Sequence, residues 1–166
     1  LGDGESAVTL LDEDSTVEPR VMPLCGKNSL ISAVGVKDGR IVIGEAASVT
    51  DGAAEAKVRF KSRYLTDPAA SADVRAFAQG VMNELVRTQP ALMAEVSRTV
   101  VGCPAGWGDG RREQYAALLE SAGFPNVSVV PEPRAAFLYA RHARGLRVSP
   151  ELMKKSAMVI DIGSST

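Results

Sequence analysis

The sequence predicts a mixed α/β domain, from two observations: an antiparallel β-rich beginning over residues 1–44, and a strand–helix–strand–helix–strand order across residues 98–162. The second pattern implies parallel pairing, because parallel strands need a crossover between them. With 166 residues, 45% hydrophobic and 23% charged, the chain is long enough for one sizeable core and a small subdomain. Nineteen basic residues against 20 acidic ones leave a net charge of −1. No overall basic field therefore recruits nucleic acid or an anionic membrane.

Residues 6–11 read as a short strand, and the acidic run Asp12–Glu13–Asp14 as the turn after it. Residues 18–25 are strand-like, with Pro19 and Pro23 restricting their pairing to an edge or a bulge. Residues 30–36, the Asp38–Gly39 turn and residues 41–44 form a hairpin signal. Residues 45–50 suit a short helix that Asp51–Gly52 breaks, and residues 53–64 are helix-compatible and basic through Lys57, Arg59, Lys61 and Arg63. That basic segment reads either as a solvated face or as the source of one lysine that reaches an anionic site.

From Ser71 the apolar spacing Val74, Phe77, Ala78, Val81, Met82, Leu85 and Val86 predicts an amphipathic helix ending near Pro90. Residues 98–103 read as a strand and residues 104–110 as a glycine-rich loop. Asp109 is placed to cap a helix over 111–122 that buries Tyr115, Leu118 and Leu119 and ends at Gly123. Residues 127–130 predict the next strand, and Pro131–Glu132–Pro133 leads into a helix over 134–144. The final apolar run closes on Asp161–Ile162–Gly163–Ser164–Ser165–Thr166, where backbone N–H groups and hydroxyls can face a phosphate.

Cys25 and Cys103 lack a second Cys or His at ligand spacing, so two buried free thiols in a reducing compartment are expected. With no apolar run of about 18 residues and no basic-then-apolar leader, a cytoplasmic location is the default. The one histidine, His142, falls on a helix face read as exposed. No nucleophile or acid–base constellation stands out from the residues alone.

Four motifs in order are more specific than any one of them: Val101-Gly-Cys-Pro-Ala-Gly-Trp-Gly-Asp-Gly-Arg-Arg-Glu-Gln, Ser121-Ala-Gly-Phe, Val130-Pro-Glu-Pro-Arg-Ala-Ala-Phe-Leu-Tyr-Ala and Asp161-Ile-Gly-Ser-Ser-Thr. In order and spacing they resemble the first lobe of the seventy-kilodalton heat-shock chaperone ATPases, members of the actin-like nucleotide-binding superfamily. The resemblance spans residues 98–166 and, more loosely, residues 1–44. It implies an actin-like, ribonuclease H-like lobe: a mixed five-stranded sheet with helices, plus a small antiparallel subdomain. Residues 1–25 and 67–155 would form the core, 26–66 the inserted subdomain, and 156–166 the strand and loop that begin a second lobe.

The same resemblance implies an ATP or ADP ligand with magnesium, protein clients or co-chaperone-like partners, and lobe closure driven by nucleotide. Glu132 matches the family's glutamate near the hydrated magnesium and the attacking water, though a carboxylate at a helix start also suits the helix dipole. Asp161 matches the aspartate that orders magnesium-bound water, and Gly163, Ser164, Ser165 and Thr166 match the loop facing the γ-phosphate. Gly2, Asp3 and Gly4 stand in the first phosphate loop, Lys61 matches the catalytic lysine, and Pro104 and Arg112 match the proline switch and arginine relay between domains. No direct protein ligand to a metal is implied.

Departures from the family pattern bear on chemistry. Asp3 and Gly4 stand where two threonines are expected, and a carboxylate about 4 Å from a phosphate costs of order 1 to 4 kcal/mol unless a cation intervenes. Ser164 and Ser165 replace glycines that allow close backbone approach. Weak nucleotide affinity and no appreciable turnover are expected of residues 1–166, and a non-hydrolysing binding or scaffold module is the rival reading. A filament-forming relative is a more distant third. Because the family's first strand would precede Leu1, residues 158–162 are expected to fill its place or to pair with another molecule as a strand-exchanged dimer.

Overall fold

A computed structural model describes residues 1–11, 18–48, 56–64, 66–142, 151 and 158–160. Within them the chain is a mixed α/β protein with six helices and several small sheets. No helix among the described residues is long and apolar enough to cross a membrane.

The first part of the chain is antiparallel. β1 (Glu5–Ser6) pairs with β4 (Leu30–Ile31), and β2 (Val8–Leu10) pairs with β3 (Arg20–Met22), which is short because it lies between Pro19 and Pro23. β5 (Ala33–Lys37) and β6 (Arg40–Ile43) make the expected hairpin. Asp38 (φ 51°) and Gly39 (φ 74°) both take the left-handed conformation that a two-residue turn between twisted strands needs. A second tight turn of this kind, at Cys25 (φ 50°) and Gly26 (φ 77°), bridges Leu24 to Lys27 and carries no Asn-Gly or Asp-Gly signature. Cys25 is therefore exposed at a turn, whereas Cys103 is buried; both thiols are free.

The short helix α1 (Glu45–Ser48) follows, and the Asp51–Gly52 break lies outside the described residues. The basic segment is not one helix. β7 (Lys57–Val58) adds to the free edge of β5, Arg59 turns the chain in a left-handed conformation (φ 52°), and α2 (Phe60–Arg63) is a single turn. Edge pairing by two residues wins here over the helix propensity of the lysines and arginines.

α3 (Pro68–Thr88) is the central helix and starts earlier than its apolar spacing suggests. Asp67 caps it by accepting from the Ala69 N–H (2.9 Å), and Pro68 occupies the first turn, where its missing donor has no cost. Ala70, Val74, Phe77, Ala78, Val81, Met82 and Leu85 are buried, while Val86 falls on the exposed side. The helix packs against the β5–β6 hairpin, α2 and a second helical layer. At Gly80 a side chain would collide with Ile43, so the helix approaches the hairpin where the Cβ is absent.

α4 (Pro90–Glu95) leads to the parallel unit: β8 (Thr99–Cys103), α5 (Asp109–Ser121) and β9 (Val127–Pro131), with β8 and β9 in parallel register from Thr99↔Val127 to Cys103↔Pro131. The N-cap of α5 is Gly108; Asp109 is its first residue and instead pairs with Arg112 at 3.4 Å. Gly123 (φ 102°) ends it as expected. α6 (Glu132–His142) begins directly after β9, two residues before the sequence expectation, and the His142 side chain lies outside the described residues.

Among the described residues the strands form four ladders of two, two, three and two strands, and the expected five-stranded sheet is not seen within them. No ladder among the described residues joins β2–β3 to β8–β9. Of the run expected to pair as a strand, Met158, Val159 and Ile160 are exposed and in no ladder among the described residues, and residues 161–162 lie outside them.

Candidate functional site

Three elements converge where β8 ends: the loop of residues 1–4, α2, and the junction of β9 with α6. The loop is tied down from both sides. The Gly2 N–H donates to Ser6 Oγ (3.2 Å), the Ser32 N–H donates to Gly4 O (2.8 Å), and the two hydroxyls of Ser6 and Ser32 are 2.7 Å apart in the interior. A side chain at Gly2 would collide with the Glu5 carbonyl, so this turn requires glycine.

Lys61 is the centre of the site. Although it comes from a basic, mostly exposed segment, its side chain is only 5% exposed. Its ammonium donates to Leu1 O (2.6 Å), Gly102 O (3.1 Å) and Glu132 Oε1. An ammonium has three donors, and all three are used. A buried charge is tolerable only when paired and hydrogen-bonded in this way.

Glu132 reaches Lys61 because α6 starts without a linker at the end of β9, which aims its first side chain back across the parallel pair. A carboxylate in a helix's first turn is also favoured by the helix dipole. Gly102 leaves it room: a Cβ there would lie 2.8 Å from Glu132 Cγ. Asp3 accepts the Ser62 N–H with both carboxylate oxygens, each at 2.9 Å, and so ties the loop of residues 1–4 to α2.

An aromatic layer lies beneath. Tyr64 directly follows α2; its ring stacks on Trp107 (centroids 5.6 Å apart) and tilts against Tyr115 (5.6 Å), while Trp107 meets Tyr115 edge-on at 5.1 Å. The Trp107 N–H donates to Pro104 O (3.1 Å), and Arg112 Nε donates to Trp107 O (2.9 Å). Pro104 and Arg112 are thus joined through one tryptophan. Burial pushes the Cys103 thiol up, with the nearby cations of Arg112 and Lys61 opposing, so it stays protonated at neutral pH.

No family model matches the chain.

Of the residues singled out from the sequence, Gly2, Asp3, Gly4, Lys61 and Glu132 come together, and Pro104 and Arg112 sit one layer away. Asp161, Gly163, Ser164, Ser165 and Thr166 lie outside the described residues. Sequence reasoning missed the roles of Gly102, whose carbonyl holds Lys61, and of Tyr64. Backbone carbonyls leave no mark on sequence, and Tyr64 follows the basic segment with no periodicity to place it.

Proposed function

We propose that the chain is the nucleotide-binding lobe of a heat-shock chaperone-like protein with an actin-like ATPase fold, in which ATP or ADP with magnesium drives lobe closure and controls a protein client or co-chaperone-like partner. The observation that carries this reading is the meeting of Lys61 with Glu132, 71 residues apart, beside the loop of residues 1–4. Those positions match the family's catalytic lysine, glutamate and first phosphate loop. A reducing, cytoplasmic setting suits the free thiols of Cys25 and Cys103.

The side chains fit a magnesium-bearing nucleotide better than a bare one. Asp3 and Glu132 outnumber the single ammonium of Lys61, so an unaccompanied polyphosphate is repelled. No group of three or more His, Cys, Asp or Glu among the described residues is placed to hold a metal directly. Glu132 would therefore hold magnesium through its water shell, as this ion ordinarily keeps several waters. Bound there, the ion neutralises phosphate charge.

One observation favours the second reading, a non-hydrolysing binding or scaffold module. All three donors of Lys61 are spent on the protein, and the Asp3 carboxylate is spent on Ser62. For Lys61 to meet a phosphate, one of its partners must yield.

The test is calorimetric titration of magnesium-ATP into the full-length protein and its Glu132→Ala variant, followed by turnover assays. Magnesium-dependent binding weakened at least tenfold by the substitution supports the proposal. Absence of binding, or equal affinity for both proteins, overturns it, and binding without turnover selects the second reading.

A further inference from the structure

Helix α2 is one turn long, too short to be stable without contacts from outside it. Arg59 precedes it in the left-handed conformation (φ 52°) and supplies no side-chain cap. The N–H groups of a helix's first turn have no acceptor within the helix and need one from elsewhere. For Ser62, the third residue of α2, that acceptor lies 59 positions away in the sequence: both oxygens of Asp3 are 2.9 Å from the Ser62 nitrogen. Asp3 is thus the cap that α2 lacks locally.

The same loop grips the preceding residue. Leu1 O accepts from the Lys61 ammonium (2.6 Å) while Asp3 accepts from Ser62, so residues 1–3 hold two consecutive residues of α2. The loop is itself anchored, through Gly4 O to the Ser32 N–H (2.8 Å) and through the Gly2 N–H to Ser6 Oγ (3.2 Å). Phe60, packed on Phe77 with ring centroids 5.2 Å apart, keeps the turn against α3 but makes no directional bond that would set its rotation. Rotation decides where Lys61 points, because successive helix residues are about 100° apart. The Lys61 side chain is buried, whereas Arg59, Ser62 and Arg63 are exposed. A rotation of α2 that takes Ser62 off Asp3 also carries the Lys61 ammonium away from Gly102 O and Glu132.

We propose that Asp3 is a positioning residue for Lys61: by capping α2 from the loop of residues 1–4, it sets the rotation that keeps the Lys61 ammonium on Glu132 and Gly102 O. Its meaning for nucleotide rests on the proposed function. The placement of Lys61 does not, and the test is read without nucleotide.

That test is acetylation of lysines by an N-hydroxysuccinimide ester in the nucleotide-free full-length protein, with the rate at Lys61 read by peptide mass spectrometry. Asp3→Ala deletes the acceptor, and Asp3→Asn retains one acceptor oxygen at the same reach. Losing a charged acceptor enlarges the locally open population, so the Lys61 rate rises about tenfold in Asp3→Ala and by less than half as much in Asp3→Asn. Asp67→Ala, which removes the cap of α3, controls for general loss of stability and leaves the rate within about twofold of the parent's. An Asp3→Ala rate equal to the parent's overturns the proposal, as does an equal rise in Asp67→Ala or in Asp3→Asn. If Asp3→Ala does not fold, exchange of the Ser62 amide in the parent decides: protection is expected, and exchange at the rate of an unstructured amide overturns the proposal. Failure of magnesium-ATP to bind leaves all these rates unaffected, so the two proposals fail separately.

Discussion

Lys61 illustrates what a single residue's surroundings can decide. Its neighbours Arg59, Ser62 and Arg63 are exposed, and only the left-handed Arg59 and the one-turn helix after it rotate Lys61 inward. The pairing with Glu132 depends in turn on a residue with no side chain. Gly102→Ala places a methyl group 2.8 Å from Glu132 Cγ, so the Glu132 side chain must shift and its pairing with Lys61 is disturbed. We expect a loss of about 1–3 kcal/mol in urea unfolding, combining overpacking with an under-paired buried ammonium. A variant as stable as the parent would mean that Glu132 has an alternative path around Gly102.

Elements were legible in the sequence where local chemistry and burial agree. The 38–39 turn needs two left-handed residues and has Asp-Gly; α3 has a capped start and an apolar face; β8 and β9 are apolar runs flanking a helix. They were misread where a few long-range contacts override propensity. The Cys25–Gly26 turn is one such case: the Cys25 N–H donates to Glu84 of α3 (3.2 Å), and Glu84 in turn takes two bonds from Arg87 (2.9 and 3.0 Å). The Arg87 hydrogen bonds, helped by the Cys25 N–H, hold the Glu84 carboxyl below the usual carboxylate range against the opposing effect of burial. A depressed folded value means stability that is present above the unfolded pKa of about 4.3 and lost as pH falls through the folded value. Glu84→Gln should therefore cost roughly 1 kcal/mol at pH 7, with the difference from the parent shrinking below about pH 4. Urea midpoints measured at both ends check it; a gap that is constant with pH would assign the cost to shape and not to charge.

At the scale of the whole molecule, the mixed α/β class was readable, whereas the separate small ladders seen among the described residues were not. Order of elements sets α/β character, whereas joining ladders into one sheet depends on strand lengths and neighbours that composition does not encode. The site was half legible for a related reason. Glu132, Asp3 and Lys61 carry side-chain chemistry and can be picked from motifs, but the Leu1 and Gly102 carbonyls that hold Lys61 are backbone groups. Tyr115 was readable as an inward-facing helix residue, though nothing in its spacing marks the unpaired hydroxyl. Under the proposed function, residues 1–4, α2 and the β8–α6 junction would act as a single nucleotide-facing unit.

Amide hydrogen exchange of the full-length protein, with and without magnesium-ATP, tests that claim most directly. Slowed exchange is expected in peptides covering residues 1–6, 60–64 and 101–107, with the change lost in Glu132→Ala. Protection confined to other regions, or unchanged exchange in these three at saturating nucleotide, would contradict it.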